Sequence, residues 1–371
     1  MGTVSLSINI CGDFVSKANH TISLSPELKG ILDSGSVNVV NFEAPLSGYG
    51  AVTDRSGPRL CQPESAYTSL KDSGFNLFQL ANNHAVDYGE EACKATKEHL
   101  HDVVGAGTIE EAYAPVIRII SGVKVGFLSF VHHEFGVLDE FDNNQQYGTA
   151  WINSARATKA IIETKRDVDY LIVLPHAGVE QVDVPLPEWR RRYQEFIDLG
   201  ADAVVATHPH VPQGWEAYKG KPIFYSLGNF YFDAIEPADE WWYKGLMITL
   251  IVSNKGLEYT VHNTRFNSGM VEIDNSEETK VHNQYLLNLI SDETAYMERI
   301  NAIALERWEE LQIYFIRGLG ACSFHLSFKE FLKAVYCMIF RRPNRSLFIN
   351  ALQCESHREL VLRAMRLKEK E

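Results

Sequence analysis

The sequence lacks a long apolar run, a paired-cysteine spacing and an excess of positive charge, and each absence removes a class of protein. No uninterrupted apolar stretch approaches the roughly 18 residues that mark a membrane-spanning helix, so no membrane span is expected. Six cysteines are present, Cys11, Cys61, Cys93, Cys322, Cys337 and Cys354, and no two stand as C-x-x-C. They read as free thiols in a reducing compartment, not as a disulfide framework or a zinc ribbon. The net charge of −13 argues against general affinity for nucleic acid or anionic membrane. Of the 35 Lys/Arg and 48 Asp/Glu, 14 and 13 lie from Ser276 onward, so the acidic surplus sits in the first three quarters. The start at Met1 shows no basic segment followed by an apolar one, and the expected location is cytoplasmic. There is no internal repeat and no low-complexity tract. With 45% hydrophobic and 22% charged residues in 371, the chain can build a sizeable core, divided as one large domain and a smaller one.

What is present is a series of short β-rich runs, each ending in a polar residue. VSLSINICGD ends at Asp13, SVNVVNFEAP at Glu43, FNLFQLANNH at His84, and VKVGFLSFVHH near His132. VDYLIVLPHAG ends at His176 and ADAVVATHPH at His208 and His210. Helical patterns lie between several of them, over Glu90–Val104, Asn153–Lys165 and Pro187–Leu199. Alternating strands and helices predict an α/β fold with largely parallel strands, whose ligands bind beyond the carboxyl ends of the strands. After His210, KPIFYSLGNF, GLMITLIVS and GLEYTVHNTRF predict antiparallel strands of a second sheet packed on the first. From Ser276 the pattern turns helical, over Arg299–Gly318, Phe328–Arg341 and Ser346–Lys370. The expected domains are therefore residues 1–275 and a helical region, 276–371.

The strand-end residues Asp13, Glu43, Asn83, His176, His208 and His210 offer two carboxylates, one carboxamide and three imidazoles. Mixed nitrogen and oxygen donors suit Mn, Fe or Zn better than Mg or Ca. Six donors exceed the need of one tetrahedral zinc and fit two divalent ions sharing a carboxylate, an arrangement that clamps both oxygens of an in-line displacement.

The order of the motifs resembles a known family. Gly12-Asp13-Phe14, Asn41 to Leu46 (NFEAPL), Ala81 to Gly89 (ANNHAVDYG), Pro175 to Glu180 (PHAGVE), Thr207 to Val211 (THPHV) and Ile223 to Phe230 (IFYSLGNF) resemble the CapA family of poly-γ-glutamate capsule biosynthesis. That family is similar to the calcineurin-like metallophosphoesterases, and the resemblance covers roughly residues 5 to 275. It implies a four-layer αββα sandwich with a C-terminal helical extension, and a dinuclear-metal hydrolase of the phosphoesterase type acting in capsule or cell-envelope polymer synthesis. By the same resemblance Asp13 and His210 would bind the first metal. Asn83, His176 and His208 would bind the second, and Glu43 would bridge the two. His84 would contact the scissile group and protonate the leaving group, while Asn41, Glu180 and Asn229 would orient the ligands or touch substrate. The implied substrate is a small molecule or polymer bearing a phosphoester or amide. A non-catalytic component of a capsular polymer complex and a nucleotide phosphodiesterase are the alternative readings; the oligomeric state is not legible. One departure stands out. The calcineurin-like group begins with D-x-H, whereas the second position after Asp13 here is Val15, which predicts a weaker first metal.

Each residue also has a plainer reading. His208-Pro209-His210 could be a turn with two solvated rings, Asn83-His84 a turn in which Asn tolerates left-handed backbone, and Asp13 and Glu43 helix caps or surface carboxylates. His132, His133 and Glu134 read as ordinary loop residues, and Arg190–Arg192 as a solvated helix face. The same solvated reading holds for Arg341, Arg342 and Arg345. Trp241-Trp242-Tyr243 reads as core packing at least as readily as an aromatic platform.

Overall fold

The protein is described from a computed structural model. The described residues are 6–17, 22–139, 145–234, 239–253, 256–267, 269–319 and 345–368, with residues 329, 332 and 336 between the last two segments. The expected helix over Phe328–Arg341 lies largely outside them, as do Cys322 and Cys337.

The strand Leu6–Val15 organises the molecule. Nine of its ten residues are buried, so it must be paired on both edges and covered on both faces. Val37–Phe42 runs parallel to it on one side, and Lys244–Ser253 antiparallel on the other, with Leu6 opposite Val252 and Cys11 opposite Met247. The sheet continues outward through Leu77–Gln79 to Val103–Val104, and in the other direction through Gly256–Asn267 and Met270–Ile273 to Ser23–Leu24. A second sheet has the order Trp215–Tyr218, Lys221–Phe224, Ala203–Val205, Tyr170–His176, Val123–Val131, Val116–Ile120.

Three apolar layers hold the sheets and helices together. Ile8, Ile10, Val39 and Leu77 of the first sheet meet Val125, Phe127, Ile172 and Phe224 of the second. The outer face of the first sheet is covered by helices Pro26–Ser34, Glu64–Asp72 and Gly89–Leu100, through Leu28, Leu70 and Cys93. Helices Ala155–Asp167 and Pro187–Leu199 cover the outer face of the second through Ile161, Tyr193 and Phe196. Each such side chain contributes about 1.5–3 kcal/mol by leaving water. The result is the expected αββα sandwich.

The C-terminal helices Glu277–Ser291, Glu293–Leu319, Arg345–Gln353 and Glu355–Lys368 follow. Tyr296, Ile300, Leu360 and Val361 lie in the same buried cluster as Leu171 and Tyr193, so the helical region shares a core with the second sheet.

Two expectations are corrected. The strands after Trp242 do not form the second sheet; they extend the first, because the central strand Leu6–Val15 needs a partner on its free edge. The segment Asn229–Phe232 also joins the first sheet, pairing parallel with the end of that strand. The helix expected to reach Val104 stops at Leu100. His101 takes a left-handed backbone (φ 63°), and Val103–Val104 becomes an edge strand.

Candidate metal centre

All six expected ligands converge at the carboxyl ends of the strands, and all six are buried. Asp13 is carried near the end of Leu6–Val15, and His176 is the last residue of Tyr170–His176. Glu43 follows Val37–Phe42 directly, Asn83 lies four residues past Leu77–Gln79, and His208 and His210 follow Ala203–Val205. Gly12 lets the Asp13 strand approach the loop before Asn229: a Cβ on Gly12 would meet the Gly228 oxygen at 1.9 Å, and Asp13 N donates to that oxygen at 3.0 Å. The histidine turn is strained. His208 (φ 103°) and His210 (φ 61°) both occupy backbone regions that non-glycine residues avoid, at a cost of about 1–3 kcal/mol each. Such strain persists only where surrounding contacts fix it, and here those contacts aim both imidazoles at Glu43.

On one side of Glu43, four donor atoms crowd together. His176 Nε2 lies 3.0 Å from Asn83 Oδ1, 3.1 Å from His208 Nδ1 and 3.5 Å from Glu43 Oε1. On the other side, His210 Nδ1 lies 3.3 Å from Asp13 Oδ2 and its Nε2 3.6 Å from Glu43 Oε1. The ligand atoms of Glu43, His176 and His208 lie within 4.8 Å of one another, as do those of Asp13, Glu43 and His210. Glu43 belongs to both groups.

Asn41 ties the halves together. Its Nδ2 donates to Asp13 Oδ1 at 2.7 Å and to Glu43 Oε2 at 3.1 Å, and lies 3.2 Å from His176 Nδ1. Asn82 in turn donates to Asn41 Oδ1 at 3.1 Å. Thr207 Oγ1 sits 2.9 Å from His176 Nδ1, and Asn229 Oδ1 sits 3.0 Å from His210 Nδ1. Trp242 packs on the His210 ring at 4.7 Å between centroids and accepts from Asn229 through its backbone oxygen. Val15, where the D-x-H pattern would place an imidazole, is buried among apolar side chains on the helix-covered face.

The electrostatics fit a bound cation. Burial, together with the neighbouring Asp13, pushes the Glu43 carboxyl well above its ordinary range. Its Oε1 is buried with no hydrogen-bond partner. Burial pushes His176 and His208 well below the ordinary imidazole range, which leaves neutral rings with lone pairs to donate. Asp13 and His210 behave differently. Burial opposes charge on both, but their mutual hydrogen bond and attraction outweigh it, lowering Asp13 and raising His210. Converging acceptors with an orphaned carboxylate oxygen are the arrangement a divalent ion would relieve, so the residues present fit such an ion.

His84 lies beside Asn83, and its Nδ1 meets Asp87 Oδ2 at 2.7 Å. Asp87 also accepts from Leu60 N at 2.8 Å and pairs with Arg55. Arg55 and Asp87 were not anticipated as site residues, although Asp87 stands inside the ANNHAVDYG motif. His132 and Glu134 are also corrections: they face the cleft. His132 is fully buried, with its ring 4.4 Å from that of His208. Glu180 is exposed and lines the cavity mouth; among the described residues it holds none of the ligand imidazoles. Arg190 is no solvated residue either, since it pairs with Glu216 at 2.7 Å and lies over the Tyr296 ring. Trp242 is core, as expected, while Trp241 stacks on His282 at 3.7 Å.

A cavity of about 220 Å³ opens onto Asn83, His84, His132 and His208. Its remaining walls include Arg55, Glu134, Glu180 and residues of the C-terminal helices. No helix among the described residues is long and apolar enough to cross a membrane.

Comparison with known proteins gives the family. Residues 9–234 match the family described as bacterial capsule synthesis protein PGA_cap. The capsule biosynthesis protein CapA of Bacillus anthracis is 35% identical over 183 residues, 47% of this chain and 44% of that protein. The PGA biosynthesis protein CapA of Bacillus subtilis strain 168 is 35% identical over 171 residues, 44% of each. The chain thus spans less than half the length of these two relatives. A solved structure of a Thermus sulfate thiohydrolase, SoxB, superposes with a TM-score of 0.41 at 10% identity over 72% of this chain and 47% of that one, too loosely to carry an argument.

Proposed function

The chain belongs to the bacterial capsule synthesis protein family PGA_cap, and from that premise we propose that it is a metal-dependent hydrolase of the phosphoesterase type, acting on a capsular or cell-envelope polymer or its precursor. The observation that carries this reading is the sharing of Glu43 between two buried donor groups, Asp13 with His210 and His176 with His208.

In this reading Asp13 and His210 would hold one divalent ion, Asn83, His176 and His208 would hold another, and Glu43 would serve both. Mn, Fe or Zn suits this donor set. Bound there, two divalent ions supply Lewis-acid charge to a phosphoryl or acyl centre and to the water that attacks it. The protein residues do the rest. Asn41 fixes the relative positions of Asp13, Glu43 and His176. Asp87 pairs with His84 Nδ1, which fixes the ring at the cavity wall, where His84 would pass a proton to the leaving oxygen. Asn229 sets the His210 ring through its Oδ1.

The test is hydrolysis of an aryl phosphate by the purified full chain with Mn²⁺. Activity should be metal-dependent and should fall at least about 100-fold in His210→Ala, the range that follows loss of one preorganised charge-stabilising group. Turnover that survives unchanged in that variant overturns the reading, and no metal-dependent turnover at all overturns it in favour of a non-catalytic component.

A further inference from the structure

The C-terminal helices lie outside residues 9–234, the part that matches the family, yet they close one wall of the cavity above the metal centre. Leu311, Leu347, Asn350, Ala351, Cys354 and His357 all line it. Their seat is built from polar contacts, those of Ser356 buried and the others partly so. Glu355 accepts from His133 N at 3.0 Å, Asn153 Nδ2 at 2.8 Å and Trp151 Nε1 at 3.4 Å. Ser356 Oγ accepts from Trp189 Nε1 at 3.0 Å and meets His132 Nδ1 at 3.1 Å. Asn350 Nδ2 donates to Ser56 Oγ at 3.0 Å, and Arg363 pairs with Glu188 at 3.1 Å. Leu360, Val361 and Ala364 anchor the last helix in the core.

Two atoms in this cavity wall point to a ligand. His132 Nε2 and Asn350 Oδ1 are buried polar atoms without a hydrogen-bond partner among the described residues. Both residues line the cavity, whose wall on the side of the helices Leu347, Leu311 and Ala351 make apolar. A pocket of about 220 Å³ has room for a compact organic group.

We propose that the C-terminal helices form a fixed cap that makes the metal cleft a one-ended pocket. In it, Asn350, Ala351 and His357 seat the leaving part of the substrate, so that the protein acts on a compact end group joined to one phosphoryl or acyl unit and not on internal bonds of a polymer. This rests on the hydrolase reading for the reaction, but not for the binding.

The experiment is calorimetric binding to the Mn²⁺-loaded full chain with three probes: inorganic phosphate, phenylphosphonate and a bis-aryl phosphodiester. The wild type should bind phenylphosphonate at least about tenfold more tightly than the diester. Ala351→Trp, which fills the pocket, and the milder Asn350→Ala, which removes packing surface beside the phenyl ring, should each weaken phenylphosphonate, by about tenfold and about threefold. Both should leave inorganic phosphate unchanged, which shows that the fold and the metal centre are intact. Equal affinity for monoester mimic and diester, no phenylphosphonate binding, or variants that bind it as the wild type does would each overturn the cap. Asn350-dependent binding without turnover of any aryl phosphate would instead remove the hydrolase reading and leave the cap standing.

Discussion

On one side of Glu43 stand His176 and His208, buried, neutral and crowded against Asn83 and the Glu43 carboxyl. On the other stand Asp13 and His210, which already satisfy each other as an ion pair. An ion entering the first side gains donors that have no better partner. One entering the second must separate Asp13 and His210, which already contact each other at 3.3 Å. Val15, buried where a D-x-H pattern would place an imidazole, offers no further ligand to that side. The two halves thus share a bridging residue but should differ in affinity, and pH should affect them differently.

The strongest way to break that comparison is to remove what the halves share. Glu43→Ala should empty both sides and lower kcat by on the order of 10³-fold, about 4 kcal/mol of transition-state stabilisation. Elemental analysis beside kinetics checks it, and retention of either ion shows that the bridge is not shared.

Next come the halves taken singly. His208→Ala should remove the tighter ion, whereas His210→Ala should leave it in place and cost about 100-fold in activity. Equal metal loss in the two variants would erase the asymmetry.

A smaller effect is expected from Asn41→Ala, which loosens both halves without deleting a ligand. Metal affinity should fall by about 10–100-fold, the usual range for a residue that orients ligands.

The smallest effect lies in the metal-free protein. His176 and His208 have folded-state pKa values below the ordinary 6.5, so the unfolded chain binds more protons below that pH. Stability therefore falls as pH drops from 6.5 toward those lowered values. His210 and Glu43 are raised and work in the opposite direction, but His132 and His133 are lowered as well, so the lowered rings outnumber them. The Tm of metal-free protein should decline from pH 6.5 to 5 by about 2–4 °C for each kcal/mol lost. A Tm that rises over that range means the two rings are not held neutral.

Much of the site was legible because its ligands follow apolar strands directly, where an αββα sandwich must expose its loops. Asn83, His176 and the His208–His210 pair each mark the point where a β-rich run meets a polar turn. Other parts depended on contacts far apart in sequence. Ser356 reaches His132 across 224 positions, and nothing in the local pattern of either residue announces the other. Asn41 looked like an auxiliary residue, yet it is a buried strand residue that contacts Asp13, Glu43 and His176 together. The antiparallel strands were recognisable as strands, but a sheet edge is chosen by burial of the neighbouring strand, not by the sequence of the strand that docks there.

The most direct test of the two-sided centre is calorimetric titration of metal-free wild type with Mn²⁺ at pH 7.5. The account predicts about two equivalents in resolvable steps, with the weaker step absent in His210→Ala and weakened at pH 6. A single equivalent, no binding, or two steps that survive His210→Ala unchanged would contradict it.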